Sequence, residues 1–416
     1  MELIIGASYV KGQINAPPSK SMTQRAIAAA SLADGRSTIL NPSYCNDSMA
    51  AMKIAAGLGA SLNAEGDVIR IQGFRRIKEK VLNCGESGLA VRMFTPIASL
   101  YPDEIIMTGS GSLVRRPMFI IGDALSQLGV KCISNDGYLP LSVQGPLRSG
   151  RCAIDGSLSS QVLTGLLMAL PLAPGTSKVR VSNLKSKPYI DMTTQVLGEF
   201  GIEIINNNYS EFIIEGGQKY NAREYEVEGD WSGGAFLLAA GAINGNVVVT
   251  GLRKDSLQSD KAIIEALTKA GAGMTVNDRS IAISKSSLKP FEFDATESPD
   301  LFPPLTALAA YCHGTTEIKG AARLIHKESN RADALISEFG KMNIGIELKG
   351  DSLFIRGGDI RGATIDSHND HRIAMAAAIA ALGSSGGIRI KGSECVAKSY
   401  PDFFKDMRKA GALVSE

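Results

Sequence analysis

Paired cysteines, a net charge of either sign and an apolar run long enough to span a bilayer are all missing from this 416-residue sequence. The six cysteines (Cys45, Cys84, Cys132, Cys152, Cys312, Cys395) stand far apart, with neither metal-ligand spacing nor a dense disulfide pattern. A disulfide scaffold is therefore excluded, and a reduced, cytoplasmic protein is expected. Forty-four basic against 42 acidic residues leave +2, so no global field draws nucleic acid or membrane. Any anion site has to come from local clustering. Runs such as Ile373–Leu382 are too short to cross a membrane, and no basic stretch precedes the apolar start, so no signal peptide is expected. The four histidines (His313, His326, His368, His371) include one i, i+3 pair and no third ligand at a recognisable spacing, so no metal is expected. P-loop, dinucleotide fingerprint and nucleophile elbow are absent as well.

What the chain does have is repetition. The length allows two or three domains, and 44% hydrophobic residues suffice for a core in each. Residues suited to closing a helix recur at Gly59, Gly129, Gly201, Gly271, Asn343 and Gly411, with gaps of 70, 72, 70, 72 and 68. Helix starts near Ser21, Ser87, Ser160, Ser232, Asp300 and His371 form a second series, spaced by 66 to 73. Strands after those helices form a third: 37–40, 104–107, 177–181, 246–249, 315–318 and 387–390. Each of six units reads helix, strand, helix, strand, strand.

The sixth unit stops before its final strand, and Glu2–Ile5 is the spare strand that can supply it. The N-terminus then belongs with the last three units. The expected division is 19–228 as one continuous domain and 1–18 plus 229–416 as a discontinuous one. The chain would cross near 14–19 and 226–231, and two crossings make a hinge of the kind that closes on ligands.

The polar residues that are hardest to explain collect at the helix starts. Pro17-Pro18 ends an extended segment, Ser19 or Ser21 can cap the next helix, and Lys20 and Arg25 add cationic donors beside free N–H groups. Comparable stretches are Gly85-Glu86-Ser87-Gly88, Ser157–Gln161, Asp230–Gly234, Ser298-Pro299-Asp300 and Asn369-Asp370-His371-Arg372. Capping accounts for the serines, asparagines and aspartates one by one. It does not account for Lys20, Gln161 and Arg372, because a cation at a helix N-terminus is unfavourable unless an anion joins it. Further cations stand in Gly109–Pro117, which ends in Arg115-Arg116-Pro117, and in His326–Arg331 and Ala397–Asp402. In the second of these, Glu328 and Arg331 could equally form a helix-surface ion pair.

Taken in order, these stretches resemble the 5-enolpyruvylshikimate-3-phosphate synthase family along the whole chain. The matching pieces are Ser19-Lys20-Ser21 with Arg25, Gly85 and Gly88 with Arg92, Arg116-Pro117, Asp155–Gln161 and Ser186–Asp191. Glu228-Gly229-Asp230, Pro299-Asp300, Lys327-Glu328 with Arg331, Asn369–Met375 and Ala397–Asp402 complete the set. The resemblance implies an α/β fold of two domains, each of three βαβαββ units (an inside-out α/β barrel), with helix N-termini facing an interdomain cleft. It implies a transferase that joins shikimate 3-phosphate and phosphoenolpyruvate through a tetrahedral intermediate, releases phosphate, needs no cofactor, and works as a monomer.

By the same resemblance, Lys20, Ser21, Arg25, Ser159, Ser160, Gln161, Ser186, Tyr189, Asp300 and Lys327 look like the shikimate-phosphate contacts, mainly in 19–228. Lys20, Gly88, Arg116, Gln161, Arg331, Arg372 and Lys398 look like the phosphoenolpyruvate contacts. Asp300 would be the base at the 5-hydroxyl, and Glu328 with Lys20 or Lys398 would handle the proton at C3. The pattern is broken where members usually read Gly-Asn-Ala-Gly-Thr and this chain reads Gly85-Glu86-Ser87-Gly88-Leu89, which sets Glu86 where phosphoenolpyruvate should lie. It is broken again at Arg323, where an asparagine is common.

Two alternatives share the scaffold. A UDP-N-acetylglucosamine enolpyruvyl transferase typically carries a reactive cysteine in the loop before the first-half arginine, and 109–116 has none. A non-catalytic phosphate receptor would gain nothing from Asp300 and Glu328.

Overall fold

A computed structural model describes residues 1–74, 76–325 and 327–416, so His326 lies outside the described residues. All six helix-closing residues adopt the left-handed conformation, from φ 69° at Asn343 to φ 113° at Gly59. The repeat is therefore a repeat of helix stops. The strands that follow the first helix of each repeat run Arg36–Leu40, Glu104–Thr108, Ser177–Ser182, Gly245–Thr250, Thr315–Lys319 and Ile388–Lys391. Each is an inner strand of a separate four-stranded sheet with one parallel pair and two antiparallel pairs, and six such sheets are formed among the described residues.

The chain divides into two compact units, Pro18–Val227 and Met1–Pro17 with Glu228–Glu416. Glu2–Gly6 lies between Ile388–Lys391 and Leu413–Ser415, antiparallel to both, in the place that the last strand of a repeat holds elsewhere. One exchange carries no sequence signal. Val10–Asn15 precedes the first helix of the first repeat, yet it pairs parallel with Gly245–Thr250 of the fourth. Conversely, Glu224–Glu226 precedes the fourth repeat and pairs parallel with Arg36–Leu40 of the first.

In Pro18–Val227, helices Lys20–Leu32, Gly88–Ala98 and Gln161–Ala169 are buried almost all round, as befits their alanine- and leucine-rich sequences. Three sheets cover them with their apolar faces. Gly165 lets two of these helices touch backbone to backbone, since a Cβ there would sit 2.5 Å from the Arg92 carbonyl oxygen. The other unit repeats the plan with Trp231–Asn244, Phe302–Ala309 and His371–Ala380. Each fully buried Leu or Phe of these cores contributes roughly 1.5–3 kcal/mol.

Candidate active site

In Pro18–Val227 the first helix begins at Lys20, and Ser19 is its cap, accepting the Met22 N–H at 3.4 Å. Lys20 Nζ donates to Asp47 Oδ2 at 3.0 Å. The anion that its position at a helix start requires is thus supplied from within the protein. Arg25 is 1% exposed and joins three helices. Its Nε donates to Thr193 Oγ1 (2.9 Å), Nη1 to the Ser21 carbonyl (2.9 Å), and Nη2 to the Tyr189 carbonyl (3.4 Å) and to Thr164 Oγ1 (3.5 Å) on the helix Gln161–Ala169. Burial lowers its pKa to about 10, so it stays charged at neutral pH. Ser186, in the left-handed conformation at φ 56°, opens the helix Lys187–Glu199 that carries Tyr189.

A second cluster in this unit surrounds the start of Gly88–Ala98. Ser87 caps that helix by accepting the Ala90 N–H (3.2 Å), and donates to Gln24 Oε1 (3.1 Å) on the first helix. Arg92 Nη1 reaches Gln161 Oε1 (3.0 Å) and the Gly88 carbonyl (3.4 Å), while its Nη2 reaches the Pro117 carbonyl (3.3 Å). A Cβ on Gly88 would lie 2.8 Å from Arg92 Nη1 and 2.9 Å from Arg116 Nη1. Two guanidinium groups therefore stand over a helix start that only glycine leaves open. Ser159 Oγ accepts the Gln161 N–H (3.2 Å), and Ser160 beside it is buried. Gly109–Pro117 forms the 3-10 turn Gly111–Arg115, in which Ser112 and Leu113 are buried, and Arg116 after it is only 7% exposed.

In the other unit, Asp300 gathers three cations. Its Oδ1 accepts from Lys327 Nζ (3.3 Å) and Arg331 Nη1 (2.9 Å), and its Oδ2 from Arg372 Nη2 (3.1 Å). Burial alone would raise the Asp300 pKa, but Arg372, Lys327 and Arg331 outweigh it and hold the group well below the usual carboxylate range. Burial, with Arg331 and Arg323 nearby, depresses the Lys327 pKa against the opposing pull of Asp300 and Glu328. The Arg331 side chain is fully buried, which rules out a surface ion pair with Glu328. Besides Asp300, Arg331 donates to Glu328 Oε2 (2.6 Å) and, through Nε, to Asp370 Oδ2 (3.0 Å). Asp370 also caps the helix His371–Ala380 by accepting the Arg372 N–H at 2.9 Å. Lys398 Nζ donates to the Asn369 carbonyl (2.6 Å), which ties it to the same helix start. Arg323 donates to the Thr296 carbonyl (2.8 Å).

Within each unit, contacts join some of the singled-out residues: Arg25 with Ser21 and Tyr189; Gly88 with Gln161 through Arg92, beside Arg116; Asp300 with Lys327, Arg331 and Arg372, Arg331 with Glu328, and Lys398 at the helix start of Arg372. Glu86, where the family pattern is broken, accepts the Ser112 N–H of the neighbouring loop through Oε2 at 3.0 Å. Sequence reasoning passed over Asp47 and Asp260, and read Asp370 only as a helix cap. Asp260 is 1% exposed and accepts a short hydrogen bond from Ser232 Oγ, and its Oδ1 has no partner among the described residues. Burial and the charge of Asp300 push its pKa up to about 7, against the pull of Arg372 and Ser232. Asp370 could have been found as the acid preceding a cationic helix start, whereas Asp260 leaves no local pattern.

Comparison with known proteins adds three findings. The family model described as EPSP synthase (3-phosphoshikimate 1-carboxyvinyltransferase) matches residues 4–407. A 3-phosphoshikimate 1-carboxyvinyltransferase of Clostridium novyi (strain NT) is 40% identical over 98% of this chain and 97% of its own, and that of Clostridium beijerinckii is 39% identical over the same shares. The solved structure of EPSP synthase from Acinetobacter baumannii is 28% identical, superposes with a TM-score of 0.85, and covers all of both chains. Among the described residues, no helix is long and apolar enough to cross a membrane.

Proposed function

This chain belongs to the EPSP synthase family, and we propose that the helix starts of its two units serve one pair of substrates, shikimate 3-phosphate and phosphoenolpyruvate. The chain is a 3-phosphoshikimate 1-carboxyvinyltransferase: it moves the enolpyruvyl group to the substrate 5-hydroxyl and releases phosphate. The hydroxyl oxygen adds to C2 of the enol while C3 takes a proton. The C2–O bond to phosphate then breaks as a proton leaves C3.

Asp300 takes the hydroxyl proton in this reading. The observation that carries the assignment is its grip by Lys327, Arg331 and Arg372. A carboxylate held that far down is a weak base. Anionic substrates drawn to the same three cations neutralise them and raise the Asp300 pKa toward the working pH. The base is thus armed by the ligands it is to act on. Glu328, with Lys20 or Lys398, moves the proton at C3. Lys20, Ser21, Arg25, Ser159, Ser160, Gln161, Ser186, Tyr189 and Lys327 hold shikimate 3-phosphate. Gly88, Arg116, Gln161, Arg331, Arg372 and Lys398 hold phosphoenolpyruvate, again with Lys20. Oriented donors and charges of this kind supply the catalysis through positioning and electrostatics.

A phosphate-release assay with phosphoenolpyruvate tests the assignment. Release is expected with shikimate 3-phosphate as acceptor and not with UDP-N-acetylglucosamine; the reverse outcome overturns it. The same reading makes the enzyme a cytoplasmic monomer, the second part of which light scattering of the purified chain checks.

A further inference from the structure

Glu86 belongs to the helix-start loop at Gly88, yet its carboxylate serves a different loop. Gly85, at φ 57°, ends the strand Val81–Asn83, and its carbonyl accepts the Ser110 N–H at 2.8 Å. That contact brings 109–117 alongside. Glu86 Oε2 then accepts the Ser112 N–H (3.0 Å), one of the donors that the 3-10 turn Gly111–Arg115 leaves unused at its beginning. The space it occupies exists because residue 111 is glycine: at φ 56° a Cβ there would stand 2.2 Å from Glu86 Oε2. Ser112 continues the chain of contacts, its Oγ accepting from Arg116 Nη2 at 3.0 Å. Both Ser112 and Arg116 are only 7% exposed. Arg116 in turn aims Nη1 at the open face of Gly88.

We propose that Glu86 is a positioning residue for phosphoenolpyruvate: by fixing Ser112 it fixes the direction of the Arg116 fork over the Gly88 helix start. The role needs an acceptor at Oε2, and a glutamine can supply one. The proposal rests on the reading of Arg116 as a phosphoenolpyruvate contact. A fork that loses its direction loses ground-state binding of one substrate, while the base at the other substrate is untouched.

Steady-state kinetics of the full-length enzyme test this with four variants. Glu86→Ala is expected to raise KM for phosphoenolpyruvate about tenfold, with kcat and KM for shikimate 3-phosphate within about twofold. Glu86→Gln is expected to stay within about twofold of the parent in all three constants, and Gly111→Ala to shift them in the same direction as Glu86→Ala. Arg116→Lys is the control and should raise KM for phosphoenolpyruvate by at least as much as Glu86→Ala. If Arg116→Lys raises that KM and Glu86→Ala does not, the proposal is overturned and the reading of Arg116 stands. If Glu86→Ala moves both KM values and kcat together, or if Glu86→Gln fails to rescue, Glu86 is merely structural. If Arg116→Lys leaves KM for phosphoenolpyruvate unchanged, the reading of Arg116 falls and takes the proposal with it.

Discussion

In Pro18–Val227 the buried guanidinium of Arg25 is held by two threonine hydroxyls and two carbonyls, whereas in the other unit that of Arg331 is held by Asp300, Glu328 and Asp370. Arg372 follows the second pattern, on Asp300. Neutral acceptors orient a cation and leave its charge to attract an anion. Carboxylates cancel the charge until an anion competes for it. The same repeated fold thus holds its two fully buried guanidinium groups in two ways, by neutral acceptors at Arg25 and by carboxylates at Arg331.

The largest test of that contrast is Asp300→Ala. Turnover should fall by roughly 10³-fold while shikimate 3-phosphate still binds within a few-fold, as read by calorimetric titration. Near-parental turnover would remove Asp300 from the chemistry and, with it, the reason for the carboxylate-rich half.

A second test sets the two buried arginines against each other. Arg331→Met leaves the buried Asp370 without its Arg331 partner and should cost about 3–5 kcal/mol in urea unfolding. Arg25→Met strands only neutral acceptors and should cost about 1–3 kcal/mol. Equal losses would mean that the two modes of holding a cation do not differ in energy.

The smallest expected effect is at Asp260. A folded-state pKa of about 7, raised above the unfolded value, means that the native state binds the extra proton between pH 4 and 7. Stability contributed by that protonated form is fully present at the lower end of the window and is lost as pH rises through 7. Asp260→Asn should therefore raise Tm by roughly 2–4 °C at pH 8 and by less at pH 5. An unchanged difference between the two pH values would show that Asp260 does not titrate there.

The repeat was legible because a helix that must stop has few residues to stop on, and five glycines and Asn343 mark the stops. The spare strand Glu2–Gly6 was legible for the same arithmetic reason: one repeat was a strand short. The exchange of Val10–Asn15 with Glu224–Glu226 was not, since parallel pairing over three to six residues depends on backbone groups that every sequence shares. At the site, cations at helix starts stood out because they violate the helix dipole. Their partners did not: Asp47 lies 27 residues from Lys20, and Asp260 meets Ser232 across 28. The contact of Glu86 with Ser112 was not legible either, because it is made to a backbone N–H, and backbone donors have no letter in the sequence.

The insertion of Glu2–Gly6 between Ile388–Lys391 and Leu413–Ser415 also sets a timetable for synthesis. Every sheet of Pro18–Val227 is drawn from within that run, so this half can finish while the ribosome is still at work. The sheet that takes Glu2–Gly6 is different. Its inner strand leaves the ribosome ahead of the whole first half and finds its neighbours only after residue 388 has emerged. For most of translation that strand is an open apolar edge, and the chain has to reach nearly its full length before the edge is covered.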